Sequence, residues 1–270
     1  MTSLAAAQFT GDIPRFYDKH LGPVIFEDYA ADIARRAAAI GGVNVLEIAS
    51  GTGISTVALR SALPASTRIV ATDLNEPMLE IARAKLPSTA NVEFRQADAM
   101  KLPFADGAFD LIVIQYGVMF FPDKPAAYAE ARRALKPGGA LLFNVWGSLD
   151  ANPFGAIAHA AGQHFLANNP PKFYLTPFGY SETARVEADL RQGGFGDVAH
   201  EVVRFNKEVR DWRHFAIGAI YGNPMLADLL AGGVNPDDVV AWIADKLQAR
   251  FGPAPARMPL EATIYTARKI

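Results

Sequence analysis

Cysteine is absent from all 270 residues. That excludes disulfides, a thiolate nucleophile and any zinc or iron–sulfur site held by cysteine. Histidine is scarce: the five are His20, His159, His164, His200 and His214. His159 and His164 stand five apart, off one helical face, and no H-E-x-x-H occurs, so no metal site is expected. No G-x-S-x-G nucleophile elbow is present. The longest strongly apolar run is about Leu111–Ile114, far below the roughly 18 residues of a spanning helix, which argues against stable membrane insertion. There is no Lys/Arg block and the net charge is −2, so no nucleic-acid footprint is expected. Met1–Gln8 lacks a basic n-region and Leu4–Ala7 is too short for a signal core, which reads as a soluble, cytoplasmic chain.

What is present is alternation. Residues 12–40 read as helical, with Ile33, Ala37 and Ile40 at helical spacing and Gly41-Gly42 as the stop. Strands are expected at Val43–Ile48, Arg68–Thr72, Val92–Ala97, Phe109–Gln115 and Ala140–Trp146. Helices are expected at Ile54–Leu63, Pro77–Leu86 and Pro122–Leu135, and Lys136-Pro137-Gly138-Gly139 reads as a turn with Lys136 a solvated charge. Such alternation implies right-handed crossovers and an α/β, doubly wound, mostly parallel sheet. After Trp146 the rhythm breaks, with helices at Pro153–Leu166 and Glu182–Gln192 and over most of Asp211–Phe251. Val198–Phe205 and Leu260–Arg268 complete a seven-stranded sheet.

The chemistry concentrates at Val45-Leu46-Glu47-Ile48-Ala49-Ser50-Gly51-Thr52-Gly53, a strand running into a glycine-rich turn and a helix. Gly51 and Gly53 permit a tight turn and close backbone approach to a ligand. Asp73 closes the second strand 20 residues after Gly53, where a carboxylate can accept hydrogen bonds from both hydroxyls of a ribose. A dinucleotide fits poorly: the third glycine of G-x-G-x-x-G is replaced by Thr56. Glu47 beside the loop would repel a pyrophosphate and suits an ammonium or sulfonium, so the site favours a nucleoside without phosphates.

These residues resemble the class I S-adenosylmethionine (SAM)-dependent methyltransferases, most closely the small-molecule group related to quinone-biosynthesis C-methyltransferases. The matching segments are Leu46–Gly53, Ala71-Thr72-Asp73, Ala97-Asp98-Ala99, Leu102-Pro103-Phe104, Phe109-Asp110 and Leu135–Gly139. The likeness is close over about 40–147. Ala49 stands where the family usually has Gly, tolerable if its φ is negative. The resemblance implies a Rossmann-like methyltransferase fold with helical lid insertions, SAM as cofactor, S-adenosylhomocysteine (SAH) as product and a small-molecule acceptor. It implies that Glu47 orients the methionine end, that Ala49, Gly51 and Gly53 lie along methionine and ribose, and that Asp73 binds the ribose diol. Leu74 and Met78 would pack on adenine, Asp98 would accept its amino group, and Ala99 and Met100 would lie beside the ring. Gln115 and Tyr116 would face the methionine or the acceptor, and Tyr17 in the lid would close over the sulfur. Plainer roles compete: Asp98 capping a turn, Met78 in the core, and Tyr17 and Tyr116 as packing residues. A SAM-fold binding protein without methyl transfer, or a nicotinamide-dependent oxidoreductase, are the rival readings. No catalytic base is assigned.

The expected organisation is a single domain over 1–270, with 1–40 as lid, 41–147 as cofactor-binding core, and 181–206 and 258–270 completing the sheet. Residues 148–180 and 207–257 are expected on the acceptor side. Twelve of the 28 aromatics fall between Trp146 and Tyr221, four of them at Phe173, Tyr174, Phe178 and Tyr180 between prolines. They are expected to cap an apolar acceptor pocket together with the 211–225 helix, the alternative being a loop clamped to the sheet edge.

Overall fold

The structure, a computed structural model, describes residues 8–270; Met1–Ala7, at the start of the expected lid, lie outside the described residues. Seven strands form one sheet in the order β3-β2-β1-β4-β5-β7-β6. They are β1 (Asn44–Ile48), β2 (Arg68–Asp73), β3 (Val92–Gln96), β4 (Phe109–Gln115), β5 (Leu135–Trp146), β6 (Asp197–Val209) and β7 (Ala256–Arg268). The first five run parallel, and β7 lies antiparallel to both β5 and β6.

Strand pleating assigns the core. Val45, Ile69, Leu111, Val113, Ala140 and Leu142 pack on one face, against Ile33, Ala34 and Ala37 of the Glu27–Ile40 helix and Leu59 of the Ile54–Ala62 helix. Their neighbours Leu46, Val70, Ile112, Leu141 and Phe143 pack on the other face, with Met78 and with Ala127, Tyr128 and Ala131. Burial on both faces is why these strands read as continuous apolar runs. At the β6 edge the exposed Glu201, Arg204 and Glu208 discourage pairing with another chain.

Three expectations change. The Lys136–Gly139 turn is absorbed into β5 with a register shift near Phe109 and Leu111, and Lys136 pairs with Asp110 at 2.6 Å instead of standing solvated. The last two strands are longer than expected, so 207–209 and 256–257 belong to the sheet. The lid helix is not regular: Tyr17–Phe26 winds as a π-helix containing Pro23, between the helices Ile13–Phe16 and Glu27–Ile40.

Chain order reverses between β1 and β4, and the crevice at the carboxyl ends of strands there is the ligand site of open α/β sheets. The lid packs closely on the Trp212–Tyr221 helix because glycines let it approach. A Cβ at Gly218 would stand 2.7 Å from His20 Cβ, and one at Gly222 2.9 Å from Tyr17 N. Gly53 is required twice over: its φ is +80°, and a Cβ there would lie 2.8 Å from Ala82 Cβ and 3.0 Å from Ala82 Cα. Gly53→Ala therefore adds left-handed strain to overpacking against the Glu76–Ala84 helix. The expected loss is about 2–4 kcal/mol, lowering Tm by roughly 5–15 °C in thermal unfolding; an unchanged Tm would refute the close approach.

Candidate active site

Glu47 sits on β1 between apolar neighbours and is fully buried. Its carboxylate accepts from the hydroxyls of Ser55 and of Thr56, the latter at 2.6 Å, both in the first turn of the Ile54–Ala62 helix. A carboxylate at a helix start is favoured by the helix dipole. Burial still pushes its pKa up to about 7, and the nearby charge of Asp73 adds to the shift.

Asp73, also buried, ends β2. One oxygen accepts from Gly51 N at 2.8 Å, the other from Asn75 N at 2.8 Å. Burial raises its pKa, and these amide bonds oppose the rise. Gly51 has φ +56°, and a Cβ built there would meet no atom within 4 Å, so the turn borders open space. Leu74 next to it is 47% exposed, unusual for a leucine at a strand end, whereas Met78 is packed in the core. Ala97 N donates to Asp73 O at 3.0 Å, which sets Asp98 two residues beyond β3. Asp98 is exposed and its Oδ1 caps the turn at Met100 N (2.9 Å); Ala99 is buried and Met100 half-buried.

Ala49 overturns the negative φ expected of it: the value is +56°. An L-residue there costs about 1–2 kcal/mol from crowding of Cβ against its own carbonyl. The methyl is accommodated because position 117 is glycine; a Cβ at Gly117 would stand 2.5 Å from that of Ala49.

Gln115 points its amide at the lid, Nε2 donating to Phe26 O at 3.1 Å, while its Oε1 is buried without a partner. Tyr116 has φ +54°, donates its backbone N–H to Asn144 Oδ1 at 2.9 Å, and stacks on Trp146 with centroids 4.0 Å apart. Tyr17 stacks on Phe26 at 4.7 Å. Burial and then the charges of Asp73 and Asp18 raise the Tyr17 pKa.

Tyr17 and Tyr116 share an apolar cavity of about 50 Å³ with Trp146, Phe173, Tyr174 and Phe178. The expected aromatic run thus divides: Phe173, Tyr174 and Phe178 are both core-packed and cavity walls, whereas Tyr180 packs elsewhere, against Tyr128. Sequence reasoning missed the lid clasp. Asp18 accepts from Thr52 Oγ1 at 2.7 Å and pairs with Lys85, tying lid, glycine turn and the segment after the Glu76–Ala84 helix. It also missed Ser55 and Thr56 as partners of Glu47; hydroxyls eight and nine residues after a lone acidic residue in an apolar strand were the available signal. No group of three or more His, Asp or Glu able to hold a metal occurs among the described residues.

Residues 24–151 match the ubiE/COQ5 methyltransferase family, a span that contains the motif region 40–147. The demethylmenaquinone methyltransferase of Lactococcus lactis subsp. lactis is 37% identical over 131 residues, 47% of this chain and 52% of that protein. The chain spans about half the length of the curated relatives it matches. Among solved structures, phosphoethanolamine N-methyltransferase 2 of Haemonchus contortus, in complex with S-adenosyl-L-methionine, aligns with TM-score 0.59 at 18% identity, over 95% of this chain and 56% of that one. The cyclase SpnF aligns with TM-score 0.53 at 20% identity, over 90% and 81%. These likenesses establish the Rossmann-like fold of the methyltransferases.

The raised Glu47 pKa makes stability pH-dependent. The folded protein keeps this proton at pH values where the unfolded chain, with an ordinary value of 4.5, has lost it. The stabilisation is full below that value and is lost as pH rises through about 7, on the order of 3 kcal/mol in all. Glu47→Gln should flatten the pH dependence of Tm between about pH 5 and 8. Parallel curves for the variant and the parent would show Glu47 ionised throughout.

Proposed function

We propose that this chain is a SAM-dependent methyltransferase acting on a small, largely apolar or aromatic acceptor. The carrying observation is the buried carboxylate of Asp73 beside the open space at Gly51, with exposed Leu74 following it. Asp73 uses its oxygens on the backbone amides of Gly51, Asn75 and Leu74 and on the Asn75 side chain at 3.3 Å, a long contact that a ribose hydroxyl can replace. Leu74 offers an uncovered apolar surface for a ring. Once ionised, Glu47 supplies negative charge beneath the turn, a form that a sulfonium or ammonium would favour and a pyrophosphate would oppose, which counts against the nicotinamide reading.

The cofactor supplies an activated methyl on a sulfonium that leaves as a neutral thioether. The chain's part is binding, orientation and exclusion of water. In this reading Asp73, Gly51, Gly53, Ala49 and Glu47 hold the ribose and methionine end, and Leu74, Met78, Asp98, Ala99 and Met100 the adenine end. Tyr17, Gln115 and Tyr116 close the side facing the acceptor. The aromatic cavity holds the acceptor's reacting end, and at about 50 Å³ it has room for one or two waters until its walls part. The lining residues with polar groups are Tyr17, Tyr116, Tyr174, Trp146 and Asn223. Burial raises the pKa of Tyr17, Tyr116 and Tyr174, so they are poor bases near neutral pH. The acceptor is accordingly one that needs little help in losing a proton: an electron-rich carbon, a phenolate or a free amine.

The curated relatives are named for demethylmenaquinone, which agrees with a quinone-like acceptor. The whole chain is read as one domain, the lid and the two insertions serving one site in the cytoplasm, without nucleic acid as substrate. No helix among the described residues is long and apolar enough to cross a membrane. The likeness to SpnF, named as a cyclase, supports one rival: a SAM-fold protein without methyl transfer.

SAM and SAH should raise Tm while NADH does not. Asp73→Ala should weaken SAH binding about 10- to 150-fold in calorimetry, the worth of a charge-assisted hydrogen bond, with the fold retained. Equal stabilisation by NADH, or unchanged SAH affinity in Asp73→Ala, would overturn the reading. Methyl transfer from labelled SAM to electron-rich phenols and hydroquinones separates it from the SAM-fold rival.

A further inference from the structure

A second, larger cleft of about 890 Å³ shares Phe173 with the apolar cavity. Its walls carry three cations, Lys124, Lys172 and Arg185, and one carboxylate, Asp228. Among the described residues none of the three cations has a carboxylate within ion-pair distance. Lys124 is the unusual one, being only 8% exposed. A buried ammonium is costly unless it is paired. Here its direct partners are Phe121 O at 3.0 Å and the face of Tyr180, 4.9 Å from the ring centroid. Arg185 lies over the same ring at 5.6 Å. Burial and then the Arg185 charge lower the Lys124 pKa, and Asp189, which accepts from the Tyr180 hydroxyl at 2.8 Å, pulls it partly back. Two cations have thus been brought to one aromatic ring, in a cleft of ligand size, with little negative charge to offset them.

We propose that this cleft binds an anionic oxygen group, carboxylate or phosphate, carried by the methyl acceptor, with Lys124 and Arg185 as its partners. The inference rests on the methyl-transfer reading for its claim that the anion belongs to the acceptor. The arrangement fits an acceptor with two ends. An apolar aromatic end passes Phe173 toward Tyr17 and Tyr116, and a charged end stays at Tyr180. Arg185 offers a planar donor fork and Lys124 a point charge, which together suit an oxyanion better than a neutral amide. An acceptor held at both ends is also oriented, since its charged end cannot enter an aromatic cavity without losing its counter-charges.

Three probes of one shape test this: 2-naphthoate, 2-naphthyl phosphate and the uncharged 2-naphthamide, titrated into the full chain with and without SAH. At least one anion should bind about tenfold or more tightly than the amide. The better of the two anions identifies the group. Arg185→Gln, at an exposed position, and Lys124→Met should each shrink that preference toward unity while SAH affinity holds. If Lys124→Met fails to fold, Arg185→Gln and loss of the preference at high salt decide the matter. Equal binding of anion and amide, or a preference that survives substitution, overturns the inference. Failure of the parent chain to bind SAH, with the anion preference intact, overturns instead the cofactor reading and with it the claim that the anion marks an acceptor.

Discussion

Two buried carboxylates hold the turn after β1 in place, and the rest of the site is arranged around that turn. Glu47 fastens the start of the following helix through Ser55 and Thr56, and Asp73 fastens the turn through Gly51 N. Each carboxylate has lost water and recovered part of that cost through hydroxyl or amide donors. Burial and the Asp73 charge both hold Glu47 toward its protonated form, and a cation over the turn would relieve both. A helix start fixed from below also leaves the upper surface of the turn, at Gly51, open.

The lid follows from this platform. Asp18 reaches Thr52 in the turn and Lys85 at the end of the Glu76–Ala84 helix, so the lid is tied to the feature it covers. Both members of the ion pair are about a quarter exposed, and such pairs are worth at most about 1 kcal/mol. The clasp therefore sets where the lid lies without making it hard to open. Tyr17 stacked on Phe26 and Tyr116 stacked on Trp146 then form an aromatic boundary between the Asp73 end and the cavity. Stacked aromatic faces orient a bound ring once the walls have parted to admit it.

The parts of this arrangement legible in the sequence are those whose signals are local. The buried strands show in runs such as Leu111–Ile114, and the turn shows in Gly51 and Gly53. Asp73 is readable because chain distance between consecutive parallel strands is regular. Partners far apart in sequence were not readable. Nothing at Asp18 or Lys85 announces their pairing 67 residues apart, and Thr56 drew notice only as a missing glycine. Lys124, Tyr180 and Arg185 meet only after the helix Lys124–Ala134 and the segment beyond Phe178 are folded side by side. The π-winding of Tyr17–Phe26 has no periodic signature in ten residues. Ala49 failed for a related reason: composition states what a residue prefers, whereas its dihedral is imposed by how β1 leaves the sheet.

The methyl of Ala49 has a consequence for inheritance. It occupies space that a side chain at position 117 would otherwise claim, and these two positions sit on separate strand exits, 68 residues apart. Neither is free to drift alone. Any side chain at 117 must displace the Ala49 methyl and also Ile114, whose Cγ2 would lie 2.9 Å from the new Cβ. A descendant restoring glycine at 49 would shed the dihedral strain and loosen one of those two constraints. The pair should therefore be read as a single two-site character in relatives of this chain, with alanine at 49 demanding glycine at 117 and glycine at 49 leaving only the contact with Ile114 against a side chain there.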